Sequence, residues 1–251
     1  PNFVFAPEDT IVTLGQDGLV ANTLKYLRGQ HVVGVNPDPA RWDGRLLPFQ
    51  VGELPLLLPE VVHRKRRTRT VTMAKATLNN GQTLLGVNDL FIGPKTHTSA
   101  RYTLTNSGVS EAQSSSGVVV STGMGSTGWL KSLLTGATAV ALSAGPAFAR
   151  QREGMSPSPV TGTDRRFSLK TEFPWDADYL FYTVREPFPT RTTGASMVFG
   201  RVTPDAPLLI ESQMADNGVI FSDGIENDFL EFNSGTQATI GLAKRKGALV
   251  E

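Results

Sequence analysis

The chain contains no cysteine and only three histidines among its 251 residues. The absence of cysteine excludes disulfides, zinc–thiolate sites and thiol nucleophiles, and it fits a reducing compartment. The histidines, His31, His63 and His97, are not spaced like the ligands of a typical metal site. Ser126 lacks the surrounding G-x-S-x-G pattern, so nothing in the sequence indicates a serine hydrolase.

Long apolar runs and a strong net charge are absent as well. No apolar run reaches the roughly 18 residues that a transmembrane helix needs, and no signal-peptide pattern opens the chain. The formal net charge is +1, and no aromatic residue interleaves the basic run HRKRRTR at 63–69. Such a run is typical of a solvated segment rather than of a nucleic-acid or membrane site. We therefore expect a cytoplasmic protein that binds neither nucleic acid nor membrane.

Glycine, serine and threonine are concentrated in the segment SSGVVVSTGMGSTGW at 115–129. An apolar strand runs into a loop with glycines at 123, 125 and 128, and a helical pattern begins near Trp129. Small residues let backbone amides approach a ligand closely, and a helix start attracts phosphate. An ordinary turn between strand and helix explains the composition equally well.

A second strand, turn and helix pattern surrounds Asp17. The strand DTIVTL at 9–14 is followed by GQDG at 15–18 and by a helical pattern that ends before Gly29. The turn could bring backbone N–H groups and one carboxylate to a phosphate site. Taken alone, however, the pattern favours Asp17 as a helix N-cap.

Six segments in the family's order resemble the NAD kinase family. GQDG at 15–18 resembles its GGDG motif, GVNDLFIG at 86–93 its Asn-Glu/Asp motif, and STGMGSTGW at 121–129 its nucleotide loop. GVNPDPARWDGRLLPF at 34–49, VREPFPTR at 184–191 and SDGIENDFLEFNSG at 222–235 are closer to the mitochondrial-type branch. The resemblance extends from about Asp9 to Lys246, and GGDG alone would not distinguish this family from lipid kinases or phosphofructokinases.

The resemblance implies transfer of the γ-phosphoryl group of ATP to the 2′-hydroxyl of the adenosine ribose of NAD. Asp17 is then the catalytic residue, which orients or deprotonates that hydroxyl. Mg²⁺ is expected on the nucleotide phosphates, with Asp17 reaching it through water and no direct protein ligand. The expected ATP- and phosphate-binding residues are Gly15, Gln16, Gly18 and Asn22, where Gln16 replaces the second glycine of the motif.

The acceptor site implied by the resemblance is assembled from later segments. The expected NAD-binding residues are Asn88, Asp89, Ser116, Thr127, Gly128 and Ser132. Ser116 stands where many bacterial relatives have aspartate, and Gly128 replaces their alanine. Arg185, as a cation near the phosphates, and Asp223 are expected to shape the site, although an ion pair and a tight turn would explain them without function.

The predicted fold is α/β followed by β. Residues 1–66 form a Rossmann-like α/β nucleotide domain for ATP, which is expected to lack an upstream piece. Residues 67–251 form a mostly antiparallel, β-sandwich-like domain for NAD, whose last ~15 residues return to the first domain. Open strand edges predict a homodimer or higher homo-oligomer. A kinase for a sugar or lipid hydroxyl and a catalytically silent nucleotide-binding regulator remain the alternatives.

Overall fold

The computed structural model describes residues 4–152 and 170–251. None of the described helices is long and apolar enough to cross a membrane. In chain order, the described elements are β1 (Ile11–Leu14), α1 (Asp17–Leu24), β2 (His31–Asn36), β3 (Phe49–Gln50), α2 (Leu54–Val62), β4 (Thr68–Val71), β5 (Ala74–Leu78), β6 (Thr83–Gly86), β7 (Asp89–Pro94), β8 (Ala100–Asn106), β9 (Val109–Ser115), β10 (Val118–Ser121), α3 (Trp129–Arg152), β11 (Leu180–Val184), β12 (Phe199–Val202), β13 (Leu208–Ser212), β14 (Gly218–Ser222), β15 (Ile225–Glu231), β16 (Gln237–Leu242) and β17 (Gly247–Val250).

The first sheet has helices on both faces, as parallel strands require. Its strand order is β1-β2-β17-β4, with β3 paired to β2, and the pairs of β2 with β1, β3 and β17 are parallel. Side chains of β2 alternate between the faces: Val32 packs with α1, whereas Val33 and Val35 pack with α2. The sheet takes in β17, which belongs to the last ~15 residues expected to return to the first domain, and β4, which lies just beyond the boundary predicted at residues 66 and 67. We call these elements the α/β layer.

Two six-stranded antiparallel sheets form most of the rest of the described chain, apart from α3 and the connecting segments. Their strand orders are β12-β11-β10-β7-β14-β15 and β6-β5-β16-β13-β8-β9. Alternate apolar side chains from both sheets, such as Ile92, Tyr102 and Ile210, share one buried core. This arrangement is a β-sandwich, so the predicted fold class is confirmed. We call these two sheets the sandwich.

A second apolar core joins the α/β layer to the sandwich. Val20 and Leu24 of α1 pack in it with Val87, which follows β6, and with Met124, which follows β10. The turns after β1, β6 and β10 therefore meet at one place. The sequence pattern predicts two helical stretches, near 128–135 and 138–151, where the structure has the single helix α3.

Candidate active site

Asp17 is the first residue of α1, but it does not cap the helix. Gln16 occupies the N-cap position and makes no side-chain capping bond. The Asp17 carboxylate instead accepts two backbone hydrogen bonds from the loop between β2 and β3: Leu46 N donates at 2.8 Å and Arg45 N at 3.2 Å. The N-cap interpretation of Asp17 is therefore wrong, and both carboxylate oxygens are fixed by main chain that lies far away in sequence.

Arg45 extends from that loop across the cavity to the glycine-rich loop. Its Nη1 donates a hydrogen bond of 2.7 Å to Thr127 Oγ1. The Arg45 side chain is exposed, so its guanidinium is accessible to an anion. Its main chain holds Asp17, and its side chain holds Thr127.

The turn between β6 and β7 carries Asn88 and Asp89, and the Asp223 carboxylate fixes its backbone. Oδ1 of Asp223 accepts hydrogen bonds from the N–H groups of Val87, Asn88 and Asp89 at 3.0, 2.6 and 3.2 Å. Asp223 lies in the tight turn between β14 and β15 with a φ of 55°, a conformation that aspartate tolerates better than most residues. Asp223 N in turn donates to Asp89 O at 3.0 Å.

Asp89 is the most unusual ionisable group of the site. Only 8% of the residue is exposed, and Oδ1 has no hydrogen-bond partner among the described residues. Burial raises the pKa of the Asp89 carboxyl to about 7; a hydrogen bond from Ser121 opposes this shift, and the negative charge of Asp223 adds to it. Asp89 is therefore poised to change protonation state near neutral pH.

The glycines of the 123–128 loop are needed for close packing of chain against chain. A Cβ on Gly123 would lie 1.9 Å from Pro174 O, and one on Gly125 would lie 2.1 Å from Asn88 O. Gly128 differs, because its Cβ would meet nothing closer than Gly125 O at 3.4 Å. At positions 123 and 125, therefore, glycine is needed because the loop packs against other parts of the protein. The sequence interpretation explains the same glycines by close approach to a ligand.

These segments surround one cavity of about 280 Å³. Its size is near the lower end of ligand pockets, which begin at roughly 300 Å³. Among the described lining residues, Arg45 is the cationic side chain and three are aspartates. The lining residues are Asp17, Arg45, Leu46, Asn88, Asp89, Met124, Gly125, Thr127, Gly128, Trp175 and Asp223.

Not every predicted site residue lines this cavity. Seven predicted site residues lie outside its lining. Five of them lie next to Asp17, on the β1–α1 turn and α1, or in the first turn of α3: Gly15, Gln16, Gly18, Asn22 and Ser132. A Cβ on Gly18 would meet nothing within 4 Å. The backbone there is open, as a phosphate-binding turn needs, but no side chain in the turn except that of Asp17 reaches the cavity.

Ser116 and Arg185 line a second cavity of about 460 Å³ instead. There the Trp129 ring stacks on Phe91, with centroids 5.6 Å apart and planes 13° apart. The Arg185 guanidinium lies 5.4 Å from the Trp129 centroid and 3.8 Å from the Glu186 carboxylate. The sequence predicts Arg185 as the cation near the phosphates. The structure places it in this second cavity, and the guanidinium that lines the cavity with Asp17 is that of Arg45.

Sequence reasoning missed several residues of the site. Arg45 and Leu46 lie within a segment that carried the family resemblance, but no role was attached to them. Lys25 and Trp175 had no sequence signal, because an isolated lysine or tryptophan has the same appearance wherever it lies. Among the described residues, no group of three or more His, Asp or Glu side chains could hold a metal ion.

Similarity to known proteins lies in the fold. The sequence matches no protein-family model and no curated protein sequence. Among solved structures, the fold of this chain matches that of yeast NADH kinase complexed with NADH, with a TM-score of 0.65 and 16% identity over 96% of this chain. It also matches an NAD kinase from Archaeoglobus fulgidus in complex with ATP, with a TM-score of 0.59 and 16% identity over 97% of this chain.

These matches show that the chain has the fold of these kinases. The alignment covers 61% of the yeast chain and 78% of the archaeal chain, so this chain spans less than two thirds of the yeast protein. Identity of 16% shows the fold alone, and a fold hosts more than one activity. Function must be argued from the cavity.

Proposed function

We propose that the protein is a kinase that transfers the γ-phosphoryl group of ATP to the 2′-hydroxyl of the adenosine ribose of NAD or NADH. The observation that carries this proposal is the convergence of three distant segments on one cavity. Asp17, the Asn88–Asp89 turn and Thr127 line it together. The two solved structures that share the fold were determined with NADH and with ATP.

Phosphoryl transfer requires positioning and charge neutralisation more than covalent chemistry. Asp17 would orient the acceptor hydroxyl and receive its proton, since two backbone N–H groups hold its carboxylate in a fixed position. The Arg45 guanidinium would bind phosphate oxygens in exchange for its hydrogen bond to Thr127. Mg²⁺ would arrive on the phosphates of ATP and supply further positive charge.

The acceptor nucleoside would contact the Asn88–Asp89 turn and the Thr127 loop. An amide both donates and accepts hydrogen bonds, which suits a base edge, and a carboxyl group suits ribose hydroxyls. Asp89 Oδ1 is buried without a partner among the described residues, so it has an unused hydrogen-bonding position to offer. Discrimination in favour of a ligand that fills such a position is strong, because its loss leaves a buried polar atom unsatisfied.

The test is an assay of the purified protein with ATP and Mg²⁺ and with NAD or NADH as acceptor. Formation of NADP or NADPH, detected with an NADP-specific dehydrogenase, is expected. The same assay compares the variant Asp17→Asn with the matched control Asp43→Asn. Asp43 is exposed on the loop that holds Asp17, and it does not line the cavity. ADP release that follows a sugar or lipid acceptor instead would contradict the choice of acceptor, and tight NAD binding without turnover would favour the silent regulator.

We also propose that the protein is a cytoplasmic homo-oligomer that pairs through the sandwich. Strands β12, β15, β6 and β9 are the edges of its two sheets. Unpaired edges invite association unless they are covered. Light scattering should give a mass of at least two chains, and a mass of one chain at every concentration would contradict the proposal.

A further inference from the structure

A buried ion pair connects α1 to the turn that fixes Asn88 and Asp89. Lys25 follows the last residue of α1, and its Nζ lies 2.8 Å from Asp223 Oδ2. The side chains are only 5% and 4% exposed. Lys25 Nζ also donates to Ser222 Oγ at 2.8 Å. A charge buried this deeply is found almost only with a partner, so the pair acts as one unit.

The two elements that this ion pair connects each carry residues of the candidate active site. Helix α1 begins at Asp17, the proposed catalytic residue, and ends beside Lys25. Asp223 uses its other oxygen to hold the backbone N–H groups of Val87, Asn88 and Asp89. The Lys25–Asp223 pair therefore joins the helix that carries Asp17 to the turn that carries Asn88 and Asp89.

We propose that Lys25 is a positioning residue of the acceptor site, which acts through Asp223 to hold the Asn88–Asp89 turn in register with Asp17. Lys25 does not line the cavity and is not a catalytic residue. The proposal rests on the proposed function for its kinetic consequence. Its electrostatic consequence does not, because that can be measured without any nucleotide.

The charges that face Asp89 come from three directions. Asp223 acts on it from the β14–β15 turn, Lys25 pairs with Asp223 from the end of α1, and Asp17 and Arg45 line the same cavity as Asp89. Loss of the Lys25 charge leaves Asp223 unbalanced. Since the negative charge of Asp223 already raises the pKa of Asp89, removal of Lys25 must raise it further.

The test compares wild type with Lys25→Met and with the double variant Lys25→Met/Asp223→Asn. In nucleotide-free protein, the titration of the Asp89 carboxyl carbon is followed by NMR. Its midpoint should move upward by about one pH unit in Lys25→Met and fall back in the double variant, which carries neither charge. Lys244→Met is the matched control, because Lys244 is exposed and lies outside the active-site cavity.

Kinetics then test the positioning itself. Lys25→Met should raise the KM for NAD about tenfold and leave the KM for ATP nearly unchanged, because the acceptor turn is the part that moves. In the double variant the KM for NAD should fall part of the way back towards the wild-type value. The carboxamide oxygen introduced by Asp223→Asn can still accept hydrogen bonds from the backbone N–H groups of the turn. An unshifted Asp89 midpoint in folded Lys25→Met, or equal changes in both KM values, would overturn the proposal. Wild type that makes no NADP but shows the expected Asp89 shift would overturn the proposed function and leave the coupling of Lys25 to Asp89 supported.

Discussion

The α/β layer and the sandwich each present an aspartate to the same cavity, in contrasting surroundings. Asp17 of the α/β layer is half-buried, and both of its carboxylate oxygens accept backbone hydrogen bonds. Asp89 of the sandwich is buried, and one of its oxygens has no partner among the described residues. Both oxygens of the Asp17 carboxylate have hydrogen-bond partners, whereas one oxygen of Asp89 is left to accept or donate a further hydrogen bond. The two aspartates are therefore suited to different roles.

The difference follows from how each layer builds its turn. The loop that holds Asp17 belongs to the α/β layer itself, although its N–H donors lie 28 and 29 residues away. The turn with Asp89 uses its backbone N–H groups to bind Asp223, more than 130 residues further along the chain. The sandwich thus fixes a backbone and leaves a side chain unsatisfied, whereas the α/β layer fixes a side chain.

The sharpest test of this comparison is Asp17→Asn. The carboxamide should lose one of the two hydrogen bonds from the 45–46 loop, at a stability cost of about 1 kcal/mol. Loss of the catalytic carboxylate should lower kcat by ~10²–10⁴. Steady-state kinetics and urea denaturation measure both effects. Equal kcat values for wild type and variant would show that the carboxylate only holds the loop.

The second test is Asp89→Asn, whose effect depends on pH. Folded protein keeps a proton on Asp89 up to about pH 7, while the unfolded chain releases it near the ordinary value of 3.8. Between these values the folded state binds more protons, so the contribution of Asp89 to stability falls as pH rises, by up to about 1.4 kcal/mol per pH unit. The variant should therefore gain stability relative to wild type between pH 5 and about pH 7, with little further gain above.

Urea denaturation at several pH values measures this gain. Asp228→Asn is the matched control, because Asp228 is exposed on β15. It should show no comparable trend. A difference between Asp89→Asn and wild type that stays constant from pH 5 to about pH 8 would contradict the contrast drawn between the two aspartates.

The third test separates the two kinds of glycine in the 123–128 loop. Gly125→Ala should force the loop away from Asn88 O and cost about 1–3 kcal/mol of stability, as overpacking does, with a higher KM for NAD. Gly128→Ala should change stability far less, because its Cβ has room. Thermal denaturation compares the pair. If Gly125→Ala were as stable as Gly128→Ala, the loop would not be packed on the acceptor turn as described.

The smallest expected effect concerns Arg45, which bridges the two layers. Arg45→Ala should raise the KM for ATP about tenfold, because loss of about 1.4 kcal/mol lies near the lower end of what a charge-assisted hydrogen bond to phosphate contributes and the side chain is exposed. Its effect on stability should be small, because the side chain is exposed and Asp17 is held by backbone N–H groups. Arg41→Ala, from the same loop but outside the cavity, is the control. Equal KM values for the two variants would remove Arg45 from the phosphate site.

Local patterns in the sequence predicted the elements that depend on neighbouring residues. The apolar strand at 9–14 and the helical pattern after it correspond to β1 and α1. The sequence Asn79-Asn80-Gly81 is typical of a hairpin turn, and it joins the paired strands β5 and β6. Side-chain periodicity and turn chemistry act over a few residues, so the sequence displays them directly. The same reasoning divided α3 into two helices, because Gly136 and the small residues near it weaken the helical pattern.

The amino-acid sequence by itself determined the fold class and singled out the segments that carry the candidate site residues, because hydrophobic period, glycine-rich turns and motif order are properties of the chain. The tertiary structure alone decided which of these groups meet. It brought Arg45 to Thr127, Lys25 to Asp223 and Asn88 to Gly125, and it directed Ser116 and Arg185 to another cavity. These contacts join segments from 37 to 198 residues apart, and burial, which sets the protonation of Asp89, exists only after the layers have packed.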